Sequence, residues 1–333
     1  MKVNRQEFLS VLNTVICGAH RQEVLEQSHC FIFREGLVTS FNGEILATAK
    51  LKDSPGDFAV PAHDLTNLIS KFPDEEIELT IKGNELIVAG KKRRSGLTIQ
   101  NEILLPIEDI PVPDKMSGIK EGVMSALSMA AKVCSASNED YRVSHIQIAP
   151  DKIQATDKLR FLRVTVDTGL KTILVPAGPI NAIESISITS ATLLKGWLWL
   201  GNKDVKIGIC CTEEEYYEDA LIDSVINMPK ANVVQLPKEM PKVLDRALIM
   251  SKDDCNRMSK IKLTAKSITV RTQKESGWYE ERQPVKYKGQ DMELFVGLSL
   301  FKDLLNKTNK AYVSQEKMKM KKDNVEFLVC LGE

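Results

Sequence analysis

An α+β fold of three similar domains, each holding two copies of a helix followed by antiparallel strands, is what this sequence predicts. Three observations lead there. One helix-plus-strands pattern recurs six times, two stretches interrupted by proline sort the copies into pairs, and the composition is that of a folded globular chain.

The repeat is the strongest signal. A short extended stretch running into an amphipathic helix starts at Lys2 (KVNRQEFLSVLNTV) and again at Phe58 (FAVPAHDLTNLISKF), Gly118, Ile173, Val233 and Glu293. Successive starts lie roughly 50 to 60 residues apart, a spacing that marks repeat architectures. Apolar residues keep to one stripe of each helix: Phe8, Leu12, Val15 and Ile16 in the first, Leu65, Leu68 and Ile69 in the second, Val243, Leu244, Ala247 and Leu248 in the fifth.

Strand patterns follow each helix. Ile77 to Ile81 alternates apolar and polar residues, Lys82-Gly83-Asn84 turns the chain, and Leu86 to Val88 returns. Equivalent turns are expected at Arg34-Glu35-Gly36, Pro150-Asp151-Lys152, Gly201 to Asp204 and Ala265-Lys266-Ser267. One helix with about three strands cannot bury both its faces, so neighbouring copies should pair. Proline interrupts regular structure in Leu105 to Pro113 and in Asp223 to Lys230, which places the domains at 1–115, 116–230 and 231–333.

Composition limits the function classes. The 333 residues are 43% hydrophobic and 27% charged, too apolar for a disordered chain. Lysine plus arginine number 45 and aspartate plus glutamate 45, so the basic footprint of a simple nucleic-acid binder is missing, and any contact with nucleic acid must come from locally sorted charge. The N-terminus lacks the apolar run and cleavage site of a leader, and no run is long enough to span a bilayer, so a cytoplasmic protein without membrane contact is expected. Seven cysteines, an odd number scattered through apolar segments, favour free thiols over a disulfide framework.

An enzyme is not expected. The chain has no glycine-rich phosphate loop, no Walker lysine motif and no nucleophile elbow. His20, His29, His63 and His145 are dispersed, and Cys210-Cys211 lacks the spacing of a zinc knuckle. Glu213-Glu214-Glu215 reads as a solvated turn, because consecutive residues rarely converge on one ion. No cofactor and no metal are expected.

Several segments, in order, resemble the bacterial and phage-type DNA polymerase III beta sliding clamps. Ala155-Thr156-Asp157-Lys158-Leu159-Arg160-Phe161 resembles that family's Ala-Thr-Asp-Gly-His-Arg-Leu segment. Leu221 to Pro229 resembles its Phe-Pro-Asp-Tyr stretch ending in Leu-Pro. Phe58 to Ala62 and Ile173 to Pro176 resemble its strand-to-helix junctions, and Gly83-Asn84-Glu85-Leu86, with basic Lys91 to Arg94 after it, resembles its Gly-Asn-x-Leu hairpin. The resemblance covers essentially the full length. It implies the DNA clamp fold, closed into a ring as a head-to-tail homodimer, which acts as a processivity factor in DNA replication: helices line the hole, double-stranded DNA passes through, and the replicative DNA polymerase and the clamp loader are partners. A phage-encoded chain would work in its host's cytoplasm.

The resemblance also implies site residues. On the helices that would face DNA, Arg5, Lys71, Lys120, Lys132, Lys242, Arg246, Lys252, Lys302, Lys307 and Lys310 outnumber seven acidic residues. Lys242 and Arg246, four apart, share a face and could track phosphates. Arg21 matches a DNA-contacting arginine, and Tyr141 and Arg142 match a loop that touches DNA. The fourth helix, Ala177 to Ser187, carries no basic residue, a departure from the family's basic lining. For the partner-peptide pocket the matching positions are Val143, Thr156, Lys158, Leu159, Arg160, Phe161, Ile222, Leu328 and Cys330. Two departures leave the bound peptide open: Lys158-Leu159 stands where the family has Gly-His, and Cys330-Leu331-Gly332-Glu333 replaces its Met-Pro-Met-Arg terminus. A repeat-built interaction scaffold that uses the pocket without encircling DNA is the rival reading.

Overall fold

The computed structural model describes residues 1–135, 140–228, 231–251, 259–314 and 317–330. Lys252, Pro229, Lys230 and the terminal Leu331 to Glu333, named above, and Cys255, one of the seven cysteines, lie outside the described residues.

Helices α1 (Arg5–Val15), α2 (Ala62–Lys71), α3 (Val123–Ala131), α4 (Tyr141–Ser144), α5 (Ala177–Ala182), α6 (Asp219–Ile226), α7 (Met240–Ile249) and α8 (Leu298–Lys307) punctuate a chain made mostly of strands. Six of them are the repeated helix, and each follows a strand: Lys2–Asn4, Phe58–Pro61, Ser117–Gly118, Ile173–Pro176, Asn232–Gln235 and Met292–Val296. Helices α4 and α6 fall outside the repeat.

The chain forms two compact units. One comprises Met1–Ile119 and Ala182–Thr212. Its eight-stranded antiparallel sheet runs in the order Phe58–Pro61, Cys30–Arg34, Leu37–Phe41, Ile45–Lys50, Val205–Cys210, Trp197–Gly201, Ser190–Leu194, Ser117–Gly118. A four-stranded sheet runs Lys2–Asn4, Glu76–Lys82, Glu85–Ala89, Arg94–Thr98. Helices α1 and α2 pack on one another, and the apolar stripe read from the sequence faces inward: Phe8, Leu12 and Val15 of α1, Leu65 and Ile69 of α2 are buried. Ile16 and Leu68 of the same pattern are half-buried. Phe33 stacks on Phe58 with ring centroids 4.8 Å apart, at the heart of this core. Asn4 caps α1, its side chain accepting from the backbone N–H groups of Gln6 and Glu7 at 3.0 and 3.1 Å.

The other unit comprises Lys120–Asn181 and Glu213–Glu333. Its eight-stranded sheet runs Ile173–Pro176, His145–Ala149, Lys152–Thr156, Arg160–Thr165, Val325–Cys330, Lys317–Lys322, Lys310–Val313, Asn232–Gln235. Its four-stranded sheet runs Gly277–Pro284, Ser267–Lys274, Ser259–Leu263, Met292–Val296. Helices α7 and α8 pack together and bury Val243, Leu244, Ala247, Phe301 and Leu304. The two large sheets share one plan. In each, two hairpin-built halves meet at a single antiparallel pair, Ile45–Lys50 with Val205–Cys210 in one and Arg160–Thr165 with Val325–Cys330 in the other.

All five expected turns are present. The tight one at Glu35-Gly36 places both residues at positive φ (52° and 74°), which suits the twist of flanking strands and explains the glycine. Two expectations change. The segment Asp223 to Lys230, read as an irregular linker, begins inside α6: Ile222 and Ile226, four apart, are both buried, and that stripe holds a helix in place up to the proline region. The fourth repeat helix, expected from Ala177 to Ser187, is regular only through Ala182, because the serine- and isoleucine-rich residues after it are poor helix formers.

Candidate functional site

A pocket of about 310 Å³ opens beside the hairpin of strands Lys152–Thr156 and Arg160–Thr165, next to strand Val325–Cys330 and under helix α6. It is lined by Thr156, Lys158, Leu159, Arg160, Phe161, Tyr217, Leu221, Ile222, Val225, Leu328 and Cys330. Cross-strand pairing builds its floor, with Phe161 directly opposite Leu328. Phe161, Ile222, Ile226 and Leu328 form one buried cluster, whereas Leu159 and Leu221 are 49% and 55% exposed at the rim.

The hairpin loop is held by its own side chains. Asp157 Oδ1 accepts from the backbone N–H groups of Leu159 and Arg160 at 3.0 and 2.6 Å. Thr156 Oγ1 donates to the Arg160 carbonyl at 2.7 Å and accepts from Lys158 N–H at 3.1 Å. Lys158 consequently sits at φ 75°, a region that residues with a Cβ seldom adopt. Arg160 is buried, pairs with Asp157 at 2.7 Å and donates to the Val133 carbonyl at 3.3 Å.

Helix α6 is fastened from both ends. Asp219 in its first turn pairs with Lys152 and lies 3.7 Å from Arg163, which pairs with Asp223 at 2.7 Å. Lys152 is the main cause of the Asp219 carboxyl lying below its ordinary pKa. At the other end Lys317 and Lys319 donate to the carbonyls of Val225 and Ile226 at 3.1 and 3.3 Å, supplying cations where the helix dipole is negative.

Eight of the nine positions expected to form a pocket are therefore brought together. Val143 is not among the lining residues: it is buried in α4, its carbonyl accepting from Ser135 N–H at 2.7 Å. Tyr217, Leu221 and Val225 were missed. Leu221, Ile222 and Val225 follow helical spacing, a signal hidden by reading the segment as a linker.

The expected DNA-contacting residues divide into two sets. Arg21 and Lys71 are exposed and form no ion pair among the described residues. Lys307 is exposed and its Nζ lies 3.5 Å from Met129 Sδ. The others are neutralised within the chain: Lys132 by Asp303 at 3.4 Å, Lys242 by Glu239 at 3.0 Å, Lys302 by Asp245 at 2.5 Å, and Arg246 by Glu281 at 2.8 Å. Arg142 Nε donates to Asp140 at 3.0 Å and its guanidinium lies 4.8 Å from the ring centre of Tyr217, while Tyr141 Oη donates to the Glu215 carbonyl at 2.6 Å. Arg142 thus stands at the pocket's Tyr217 edge. Arg142 holds the Asp140 carboxyl at about 2, with a smaller contribution from Lys158.

A six-fold repeated helix, two eight-stranded sheets of one plan and full-length correspondence with solved structures define the DNA clamp fold. The DNA polymerase III beta subunit of Thermotoga maritima matches with a TM-score of 0.71 at 15% identity, covering 100% of this chain and 98% of that one. A DnaN sliding clamp from Bartonella birtlesii, solved with griselimycin bound, matches with a TM-score of 0.73 at 15% identity and coverage of 100% and 99%. The beta subunit of Pseudomonas aeruginosa matches with a TM-score of 0.68 at 16% identity, again over 100% and 99%. No family model matches the sequence, and no curated protein does. No helix among the described residues is long and apolar enough to cross a membrane.

Proposed function

We propose that the protein is a DNA sliding clamp, a non-catalytic ring of two head-to-tail copies that encircles duplex DNA and tethers a replicative polymerase through the pocket under α6. In this reading the chain contributes three domains, 1–115, 116–230 and 231–333, and the clamp loader engages the same pocket. The observation that carries it is the full-length clamp fold combined with an apolar pocket at the hairpin resembling the family's partner site.

Two open sheet edges support ring closure. Strand Arg94–Thr98 is an edge of its four-stranded sheet and follows the exposed run Lys91 to Arg94, whereas strand Gly277–Pro284 is an edge of the other and carries Glu280, Glu281 and the 61% exposed Trp278. Open edges invite strand addition, and joining one to the other between neighbouring copies covers both. Topological confinement also suits a chain of zero net charge whose lining cations are largely paired internally, because tight phosphate binding opposes sliding.

Light scattering at micromolar concentration tests the assembly. A particle of twice the chain mass is expected, and a stable monomer favours the rival scaffold that never encircles DNA. Primer extension by the cognate polymerase tests the tether: product length should rise with the wild-type protein and not with Ile222→Asp.

A further inference from the structure

The two eight-stranded sheets correspond strand by strand, yet one face of each is covered differently. Leu37–Phe41, Ile45–Lys50 and Val205–Cys210 are the counterparts of Lys152–Thr156, Arg160–Thr165 and Val325–Cys330. Cross-strand register sets the row Thr39, Thr48, Lys206 against the row Gln154, Arg163, Glu326, and Leu46 against Phe161. In the second unit α6 covers this face: Ile222 and Ile226 cluster with Phe161 and Leu328, while Asp219 and Asp223, four residues apart, pair with Lys152 and Arg163. In the first unit the segment 103–116 covers only the Leu46 end, where Leu105 is buried with Leu46 and Trp199. Pro106, Pro111 and Pro113 keep that segment from forming a helix. The rest of the face stays open as a cavity of about 680 Å³.

Every residue of this unit is described, so the charges of the lining are all in view: Lys50, Lys203 and Lys206 against Asp114 and Asp204. Asp204 lies 3.9 Å from Lys203. Lys206 Nζ donates to the Pro113 carbonyl at 2.7 Å and Lys50 Nζ to the Lys203 carbonyl at 2.9 Å, and neither forms an ion pair among the described residues. The carbonyls hold the two ammonium groups in place without cancelling their charge. Their placement repeats the α6 clamp. Lys152 and Arg163 sit diagonally on adjacent strands, Arg163 lying two residues from Thr165, the cross-strand partner of Lys152. Lys50 and Lys206 form the same diagonal moved one strand along, Lys206 lying opposite Thr48, two residues from Lys50. Leu37, Val112 and Met116 add apolar surface beside them.

We propose that this cavity docks a helical segment of a partner protein, with two carboxylates one turn apart for Lys50 and Lys206 and apolar residues between them, as α6 docks on the counterpart face. A display library of helix-stabilised peptides, selected on the full-length protein and counter-selected on Lys206→Glu, tests it; peptides bound beneath α6 are removed by the counter-selection. The survivors should carry aspartate or glutamate four residues apart and should shift the Met116 methyl resonance. Replacing one carboxylate by its amide should weaken binding to wild type by about two- to five-fold and leave binding to Lys206→Gln less affected. Lys50 is exposed, so Lys50→Gln repeats the comparison without disturbing the Pro113 anchor. No survivors, survivors without the paired carboxylates, or a carboxylate preference that persists in both variants overturns the proposal. So does a Met116 shift produced by inorganic phosphate and by no peptide, which assigns the cavity to a small anion. None of these results bears on the pocket beneath α6.

Discussion

Helix α6 forms one wall of the pocket, and what seats it can be ranked. Ile222 and Ile226 are 6% and 5% exposed against Phe161 and Leu328. Full burial of an isoleucine contributes about 1.5–3 kcal/mol, so the pair supplies roughly 3–6. The contacts of Asp219 and Asp223 with Lys152 and Arg163 involve aspartates more than half exposed, and such pairs contribute about 0.2–1 kcal/mol each. Apolar packing should dominate. Ile222→Ala, at a site open on its pocket side, should cost about 2 kcal/mol, the low end for a buried truncation. That corresponds to roughly 30-fold faster exchange of amides protected only by docking of the helix, such as Asn227 N–H on the Asp223 carbonyl. The double substitution Asp219→Asn with Asp223→Asn should cost about 1 kcal/mol, or roughly five-fold. Native-state hydrogen exchange across residues 219–227 measures both. If the aspartate pair slows or speeds exchange more than Ile222→Ala does, the helix is seated by charge and the ranking is wrong.

Arg160→Met leaves the Asp157 carboxylate without its buried partner, so urea denaturation should show a loss of about 3–5 kcal/mol, partly restored by adding Asp157→Asn. Folding lowers the Asp140 carboxyl from 3.8 to about 2, so its contribution to stability is present above the unfolded value and is lost as pH falls through that window. Carboxyl-carbon NMR of Arg142→Gln should find Asp140 titrating higher, back toward its ordinary value; an unmoved titration contradicts the assigned cause. Arg21 is exposed and forms no ion pair among the described residues, whereas Arg246 is held by Glu281, so Arg21→Ala should weaken retention on duplex DNA at low salt more than Arg246→Ala does.

Much of the fold was legible because it rests on local signals. The stripe of Phe8, Leu12 and Val15 and the turn at Glu35-Gly36 each express a period or a dihedral that neighbouring residues impose. Helix α6 was harder to see, since Pro229 argued for a linker while Ile222 and Ile226 need a sheet from elsewhere in the chain to be buried against. At the pocket, the contiguous run Thr156 to Phe161 stood out, and Tyr217, Leu221 and Val225 did not, because they enter only through tertiary packing. Charge was the least legible feature. Lys242 and Arg246 read as a stripe of free cations, yet Glu239 lies one turn away from the first and Glu281, which neutralises the second, is brought in by a distant strand.

Encirclement is the central claim, and topology tests it directly. The protein is loaded onto nicked circular DNA with its cognate loader, washed, and the circle is then cut once. The account predicts that the protein stays on the circle and runs off the cut ends; retention on the linear DNA without blocked ends would contradict it.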